Sequence, residues 1–580
     1  MASFKNSKNL SELIKIAKGE IKGDTLLKNV NLVNVFSGEI YKTNVLLWKE
    51  FIAGIGDEYN EAHQVFDLKG KYLLPGFIDG HIHIESSLLC PSEFAKLLLP
   101  HGTTTIIADP HEIANVLGEK GIEYMLRASE NLPLDIYFMI PSCVPATHME
   151  TAGGEIGIRN IENLLKEERI LGLAEMMNFP GVIFGIPEVL EKIKITRENK
   201  KIVDGHSPGL SGQNLQAYIS AGIESDHECT TREEAEEKLR SGMRIMIREG
   251  SAAKNLEELL PVVNEKNYHR CFFVSDDRHP EDLLHQGHIN YIMRKAVKLG
   301  LNPIRAIQMA TLNTAQYFNL NGKGAIAPGY IADLAIVEDL SDFKIDKVFK
   351  SGKLVVDEGK LMINIPHYED PSVLNTVHIK SISPDNFTIK DKGKKVKVIE
   401  IIPNQIVTRK IIVEPKVKKG EIICDIENDI LKLAVIERHK GTGNIGLGLV
   451  KGFGIKKGAI ASSVAHDSHN IVIVGVDNYS MALAIKEISK MGGGFVVVAD
   501  GEIRASLPLP IAGLMSNESG EKVIEKLKKL LQSVKDLGSQ IENPFITLSF
   551  LALPVIPQLK LTDKGLVDVD KFEIVSLYED

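Results

Sequence analysis

The rhythm of apolar positions changes along the chain. Residues 10–22 place apolar side chains at helical spacing and predict a short amphipathic helix. Residues 26–57 are rich in Val, Ile and Leu and are punctuated by Ser-Gly and Gly-Asp, which predicts a small antiparallel sheet. From about residue 72, apolar strands alternate with helical stretches. The strands are LLPGFID, GTTTIIAD, LDIYFMIPS, ILGLAEMM, KIVDGH, AGIESDH, MRIMIRE and CFFVSDD, with helices expected at 232–242 and 281–300 among others. Eight such steps over about 250 residues match a (β/α)₈ barrel. Residues 324–340 and 347–359 return to short strands and turns, so a small β-sandwich drawn from both flanks of the barrel is expected. Residues 380–394 are polar and read as a linker. The remainder mixes strands with helices such as SMALAIKEISKMG and reads as a separate α/β unit. The expected division is 1–70 plus 321–375 for the flanking sheet, 71–320 for the barrel and 380–580 for the C-terminal unit. No period of 20–50 residues repeats.

Composition narrows the class. Of 580 residues, 44% are hydrophobic and 25% charged, which excludes disorder, collagen and coiled coil as the main state. A net charge of -9 offers no basic footprint for nucleic acid. Cys90, Cys143, Cys229, Cys271 and Cys424 are scattered and include no C-x-x-C pair, so neither a disulfide framework nor a thiolate zinc site is signalled. The first 25 residues hold no continuous apolar segment of a leader, and PFITLSFLALPVIPQL is too short and Pro-broken to span a membrane. A cytoplasmic, soluble homo-oligomer without nucleic-acid or membrane partners is expected.

The chemistry gathers at the strand ends. His81 and His83 follow LLPGFIDG; residues two apart on a strand share a face, so both imidazoles reach one metal ion. Glu175 interrupts the apolar ILGLAEMM, and a buried carboxylate needs a partner or a metal. His206 ends KIVDGH, His227 ends AGIESDH and Asp276 follows CFFVS. Metal-ligand residue types thus stand at successive strand ends, where barrel enzymes build their sites.

This pattern resembles the amidohydrolase superfamily, whose metal ligands come from strands 1, 4, 5, 6 and 8. Many members bridge two metals with a carboxylated lysine on strand 4; Glu175 at that place is similar to the adenine deaminase branch. PGFIDGHIHIESS, HGTTTIIADPHEIANV, GLAEMMNFPGV, DGHSPGLSG, ESDHECT, FVSDDRHPEDL and residues 437–475 resemble that branch as well. The resemblance implies hydrolysis of adenine to hypoxanthine and ammonia by a metal-bound hydroxide, in purine salvage. It implies two divalent ions per chain, manganese or ferrous iron, with zinc also compatible with the donor types. One would sit on His81, His83 and Asp276, the other on His206 and His227, with Glu175 bridging. Asp276 would carry the proton. The rivals are a cyclic-amide or N-acyl hydrolase, which calls for a bridging Lys, and a non-catalytic scaffold, which predicts lost ligands.

Other deaminase and protease signatures are absent: no P-C-x-x-C follows His83-Ile84-Glu85, and neither His111-Glu112 nor His227-Glu228 opens an H-E-x-x-H motif. Asp109 and His111 close the second strand, where they would contact the purine edge, support a ligand histidine, or merely form a turn and cap. Glu228 is a candidate proton shuttle, although adjacent strand residues face opposite sides. Arg248 and Glu249 read as a solvated rim pair, and Glu85 as a possible support for a ligand. His466, Asp467 and His469, beside Ser462 and Ser463, read as a polar patch packed on the barrel mouth or another subunit, ahead of a second metal site. The Gly-rich 441–454 lacks the Lys-Ser/Thr order of a phosphate loop.

Overall fold

The computed structural model describes residues 7–403 and 405–579. Its centre is a ring of parallel strands: β1 (Phe77–Ile82), β2 (Thr103–Ala108), β3 (Asp135–Ile140), β4 (Ile170–Met176), β5 (Ile202–Gly205), β6 (Ser225–Asp226), β7 (Arg244–Arg248) and β8 (Cys271–Val274). β1 to β5 pair in order, as do β6 to β8. The seam beside β6 is stitched by Glu224 N–H donating to Val203 O at 3.1 Å. The other seam closes through pairing of Ile82 with Asp276. This is the expected (β/α)₈ barrel, although β6 is only two residues long, so His227 lies beyond its end.

The barrel lumen is filled, not hollow. Ile78, Ile107, Met139, Ala174, Ile202, Met246, Phe272 and Val274 meet there, with Tyr317 and Phe318 sealing the group. Packing this dense constrains the backbone. A Cβ on Gly80 would lie 2.5 Å from the Phe272 ring, so the residue between Asp79 and His81 must be glycine.

Strands from both flanks of the barrel form one nine-stranded sheet. Tyr72–Pro75 joins them, pairing with Leu334–Val337 on one side and Gly23–Asn34 on the other. The N-terminal helix is Ser7–Ala17, ending earlier than its apolar pattern suggested. The stretch expected as one helix at 281–300 is two, Pro280–His285 and Ile289–Lys298, because Gly287 takes a left-handed conformation (φ 104°) between them.

The C-terminal sheet has eight strands, with the helix Asn478–Met491 on one face. The helix Gly520–Asp536 packs on its last two strands. Residues 380–394 are not a free linker. They hold a 3₁₀ turn, Pro384–Phe387, and Phe387 is fully buried among Met481, Ala484 and Ile488. One anchor of that size contributes roughly 1.5–3 kcal/mol of burial, enough to dock a polar segment. The strands Ala459–Ser462 and Ile471–Gly475 pair antiparallel, and the connection between them, 463–470, reaches the top of the barrel.

Candidate active site

At the C-terminal end of β1, His81 and His83 point the same way, as alternation requires; their ring centroids are 4.8 Å apart. Asp276 follows β8 in a left-handed conformation (φ 56°), which Asp tolerates better than most residues. Its N–H donates to His81 O at 2.9 Å, fixing the side chain against the β1 histidines. His83 Nε2 lies 3.0 Å and His81 Nε2 3.5 Å from Asp276 Oδ1. Glu175, on β4, divides its oxygens between two groups. Oε1 lies 3.6 Å from His83 Nε2; Oε2 lies 2.7 Å from His206 Nδ1 and 3.1 Å from His227 Nε2. All six sequence-predicted ligands therefore converge, and all are buried except His206, which keeps a partly open edge.

These residues fit a divalent metal. His81 Nε2 and His227 Nδ1 are buried without a hydrogen-bond partner among the described residues. Sets such as His81, His83 and Asp276, or His81, Glu175 and His227, bring ligand atoms within 4.8 Å of one another. The surroundings also fix a ligand tautomer. His83 Nδ1 lies 3.0 Å from the Asp109 carbonyl oxygen, which only accepts, so in the neutral ring that a metal requires Nδ1 carries the proton and Nε2 has the lone pair toward the cluster. Burial pushes the Glu175 carboxyl up, but contacts with His111, His206 and His227 outweigh it and hold it well below the usual range. Asp276 behaves alike, with Arg248 and then His81 and His83 overcoming burial.

A further layer positions the ligands. Asp79 accepts from His81 N–H and Ser275 N–H, both at 3.2 Å, and lies 2.9 Å from His288 Nε2. Asp226, just before His227, pairs with the fully buried Lys238 at 2.6 Å. A buried pair of this kind holds the loop only while both partners remain; removing one costs about 3–5 kcal/mol.

The weaker candidates resolve differently from one another. Asp109 and His111 are buried rather than forming an open turn: His111 Nδ1 lies 3.1 Å from Asp109 Oδ2 and 3.3 Å from Glu175 Oε1. Glu228 faces the cluster after all, 3.4 Å from His227 Nε2 and 3.8 Å from His206 Nδ1. Strand alternation does not apply to it, because β6 has already ended at Asp226. Arg248 and Glu249 are not a solvated rim pair. Arg248 is buried, donates to Asp276 Oδ2 at 2.8 Å and grips both oxygens of Glu228. Glu249 is fully buried against Lys295 at 2.7 Å. Position at the end of a barrel strand was the signal that could have placed Arg248 in the site. Glu85 accepts Ile113 N–H at 3.2 Å, and burial pushes its carboxyl up to about 7.

His466, Asp467 and His469 do pack on the barrel mouth. Glu112, in the first turn of the helix His111–Leu117, meets His466 Nδ1 at 2.5 Å through Oε1 and His469 Nε2 through Oε2. Sequence reading had given Glu112 no role. A cleft of ≈ 1350 Å³ runs between the barrel top and the C-terminal unit, lined by Glu85, Ser86, Asp277, His279, His466 and Phe550 among others. Among the described residues, no helix is long and apolar enough to cross a membrane.

Comparison with known proteins agrees with this geometry. Residues 72–355 match the amidohydrolase family, and residues 405–573 match the adenine deaminase C-terminal domain. An adenine deaminase of Dehalococcoides mccartyi is 53% identical over 567 residues, covering 98% of this chain and 99% of that protein. One of Desulfatibacillum aliphaticivorans is 52% identical over 570 residues, with the same coverage. One of Thermosipho africanus is 49% identical over 571 residues, again with 98% and 99% coverage. With both parts of the chain matched and its whole length aligned, this chain belongs to the adenine deaminase family of amidohydrolases.

Proposed function

We propose that the chain hydrolyses adenine to hypoxanthine and ammonia in purine salvage, as a cytoplasmic enzyme. The observation that carries this reading is Glu175, whose two oxygens face two different histidine groups. His81, His83 and Asp276 would hold one divalent ion, His206 and His227 a second, and Glu175 would join them. Imidazole and carboxylate donors suit manganese or ferrous iron, with zinc compatible. When bound, such a pair supplies a water acidic enough to attack at neutral pH.

The remaining steps belong to side chains of this chain. Asp276 is kept anionic by Arg248, so it can take a proton from the attacking water and deliver it to a ring nitrogen or the departing amine. Glu228, gripped by the same Arg248, stands on the His206 and His227 side and is assigned a second proton-transfer role. Asp109 holds His83 through its carbonyl, and His111 braces Glu175, so both support the ligands rather than reading the purine directly. A cyclic-amide hydrolase is disfavoured because Glu175 stands where that chemistry calls for a bridging Lys. The five cysteines are free, in keeping with a reducing compartment.

An ultraviolet assay of manganese-loaded protein against adenine, guanine, adenosine and a dihydropyrimidine tests this. Adenine turnover is expected. Adenosine turnover with none of adenine would overturn the substrate assignment.

A further inference from the structure

The connection 463–470 brings metal-ligand residue types to Glu112, and the first question is whether they form another metal site. The hydrogen bonds answer it. His469 Nδ1 accepts the Ala465 N–H at 3.1 Å, so its proton resides on Nε2, which donates to Glu112 Oε2. A protonated nitrogen has no lone pair for a metal. Burial keeps this ring neutral, lowering it to about 4. With one oxygen so occupied, the other oxygen of Glu112 lies 2.5 Å from His466 Nδ1 in an ion-pair contact.

This arrangement commits one edge of the His466 ring and frees the other. Its backbone N–H donates to Ser549 Oγ at 3.0 Å, and its ring stacks on Phe550 with centroids 5.0 Å apart and planes inclined by 26°. Nε2 has no hydrogen-bond partner among the described residues. The residue lines the cleft with Glu85, Ser86, Asp277 and His279. Asp277 directly follows Asp276 and is itself held by the Ser86 hydroxyl. His466 therefore presents an unpaired ring edge to the cleft, beside Asp277, which directly follows the ligand Asp276.

We propose that His466 is a substrate-recognition residue of the barrel's site, supplied by the C-terminal unit and aimed by Glu112, and that its Nε2–H donates to a ring nitrogen of the bound purine. This rests on the adenine reading. Adenine suits the role because its unprotonated ring nitrogens are acceptors on the edge of a flat aromatic ring. The Glu112 charge outweighs burial and raises the His466 imidazole to about 9, so both nitrogens carry protons at neutral pH. The C-terminal unit is then one wall of the active site rather than an appendage.

Steady-state kinetics on metal-replete protein test the proposal, with metal content and melting temperature measured beside them. His466→Ala should lower kcat/KM for adenine about 10- to 100-fold, the range for losing one charge-assisted hydrogen bond, chiefly through KM. Metal content and melting should match wild type. His466→Gln, whose amide N–H reaches the same side, should recover part of the loss, and Glu112→Gln should weaken KM in the same direction. His466→Ala within twofold of wild type would overturn the proposal. So would loss of metal or early melting in both His466 variants in step with activity, since that marks a packing role. Wild-type protein inert toward adenine would instead refute the adenine reading first, before any variant is compared.

Discussion

Glu175 and Glu112 are two buried carboxylates ringed by histidines, and His111 stands between them. Its Nδ1 lies 3.3 Å from Glu175 Oε1 and its Nε2 3.5 Å from Glu112 Oε1. By residue type the two centres are alike. They differ in where the hydrogens must sit. Around Glu175, the Asp109 carbonyl takes the proton of His83 Nδ1 and, in the neutral ring that a metal requires, leaves Nε2 with a lone pair. Around Glu112, a backbone N–H occupies His469 Nδ1 and forces the proton onto Nε2. The first centre turns histidine lone pairs toward the space a cation would fill; at the second, the His469 Nε2–H donates to Glu112 and ties the C-terminal unit to the barrel. A cluster of His and Glu is thus read by the groups behind its imidazoles, not by composition.

The largest effect is expected from Glu175→Gln, which removes the shared ligand charge. Both metal content and adenine turnover should collapse, measured by elemental analysis and ultraviolet assay. Next comes Asp276→Asn, which keeps shape and loses the proton carrier. Turnover should fall about 10²–10⁴-fold, the usual scale of general acid–base catalysis, while metal stays bound. Near-normal activity would remove Asp276 from that role.

Arg248→Met sits third. It strips the countercharge from Asp276 and Glu228, and losing one partner of a buried pair costs about 3–5 kcal/mol, visible as a lower melting temperature. The sign for pH follows from the wild-type state. Arg248 holds the Asp276 carboxyl low, and the active form is the carboxylate, so without Arg248 the acid limb of kcat/KM should move to higher pH. An unmoved limb would mean that Arg248 does not tune Asp276.

The smallest effect belongs to a carboxylate with no histidine near it. Asp333, in the flanking sheet, is buried against Lys323 at 2.6 Å and Lys350 at 2.9 Å, and these outweigh burial to hold its carboxyl below the ordinary range for an aspartate. A depressed folded-state pKa adds stability above the unfolded value and loses it as pH falls through the folded one. Chaotrope titrations should therefore show stability dropping below about pH 4, and Asp333→Asn should flatten that slope. An unchanged slope would place the acid sensitivity elsewhere.

The barrel and its ligand set were legible because both follow local rules. Apolar runs end in His, Glu or Asp, and strand ends are where parallel barrels expose side chains. Glu228 was legible only as a candidate, since alternation cannot say where a two-residue strand stops. Arg248 was misread because a charged residue after an apolar run looks like rim; the carboxylates that bury it, Glu228 and Asp276, stand just beyond the neighbouring strands β6 and β8. Glu112 and His466 are 354 residues apart, and no periodicity connects them. The same holds for 380–394, whose polar residues hid one anchoring Phe387.

The most direct test of the difference between the two carboxylate centres is anomalous X-ray scattering from crystals of manganese-loaded protein, recorded at the manganese edge. Peaks are predicted among His81, His83, Glu175, His206, His227 and Asp276, with none at Glu112. A peak held by Glu112, His466 and His469, or an empty map around Glu175, would contradict the account.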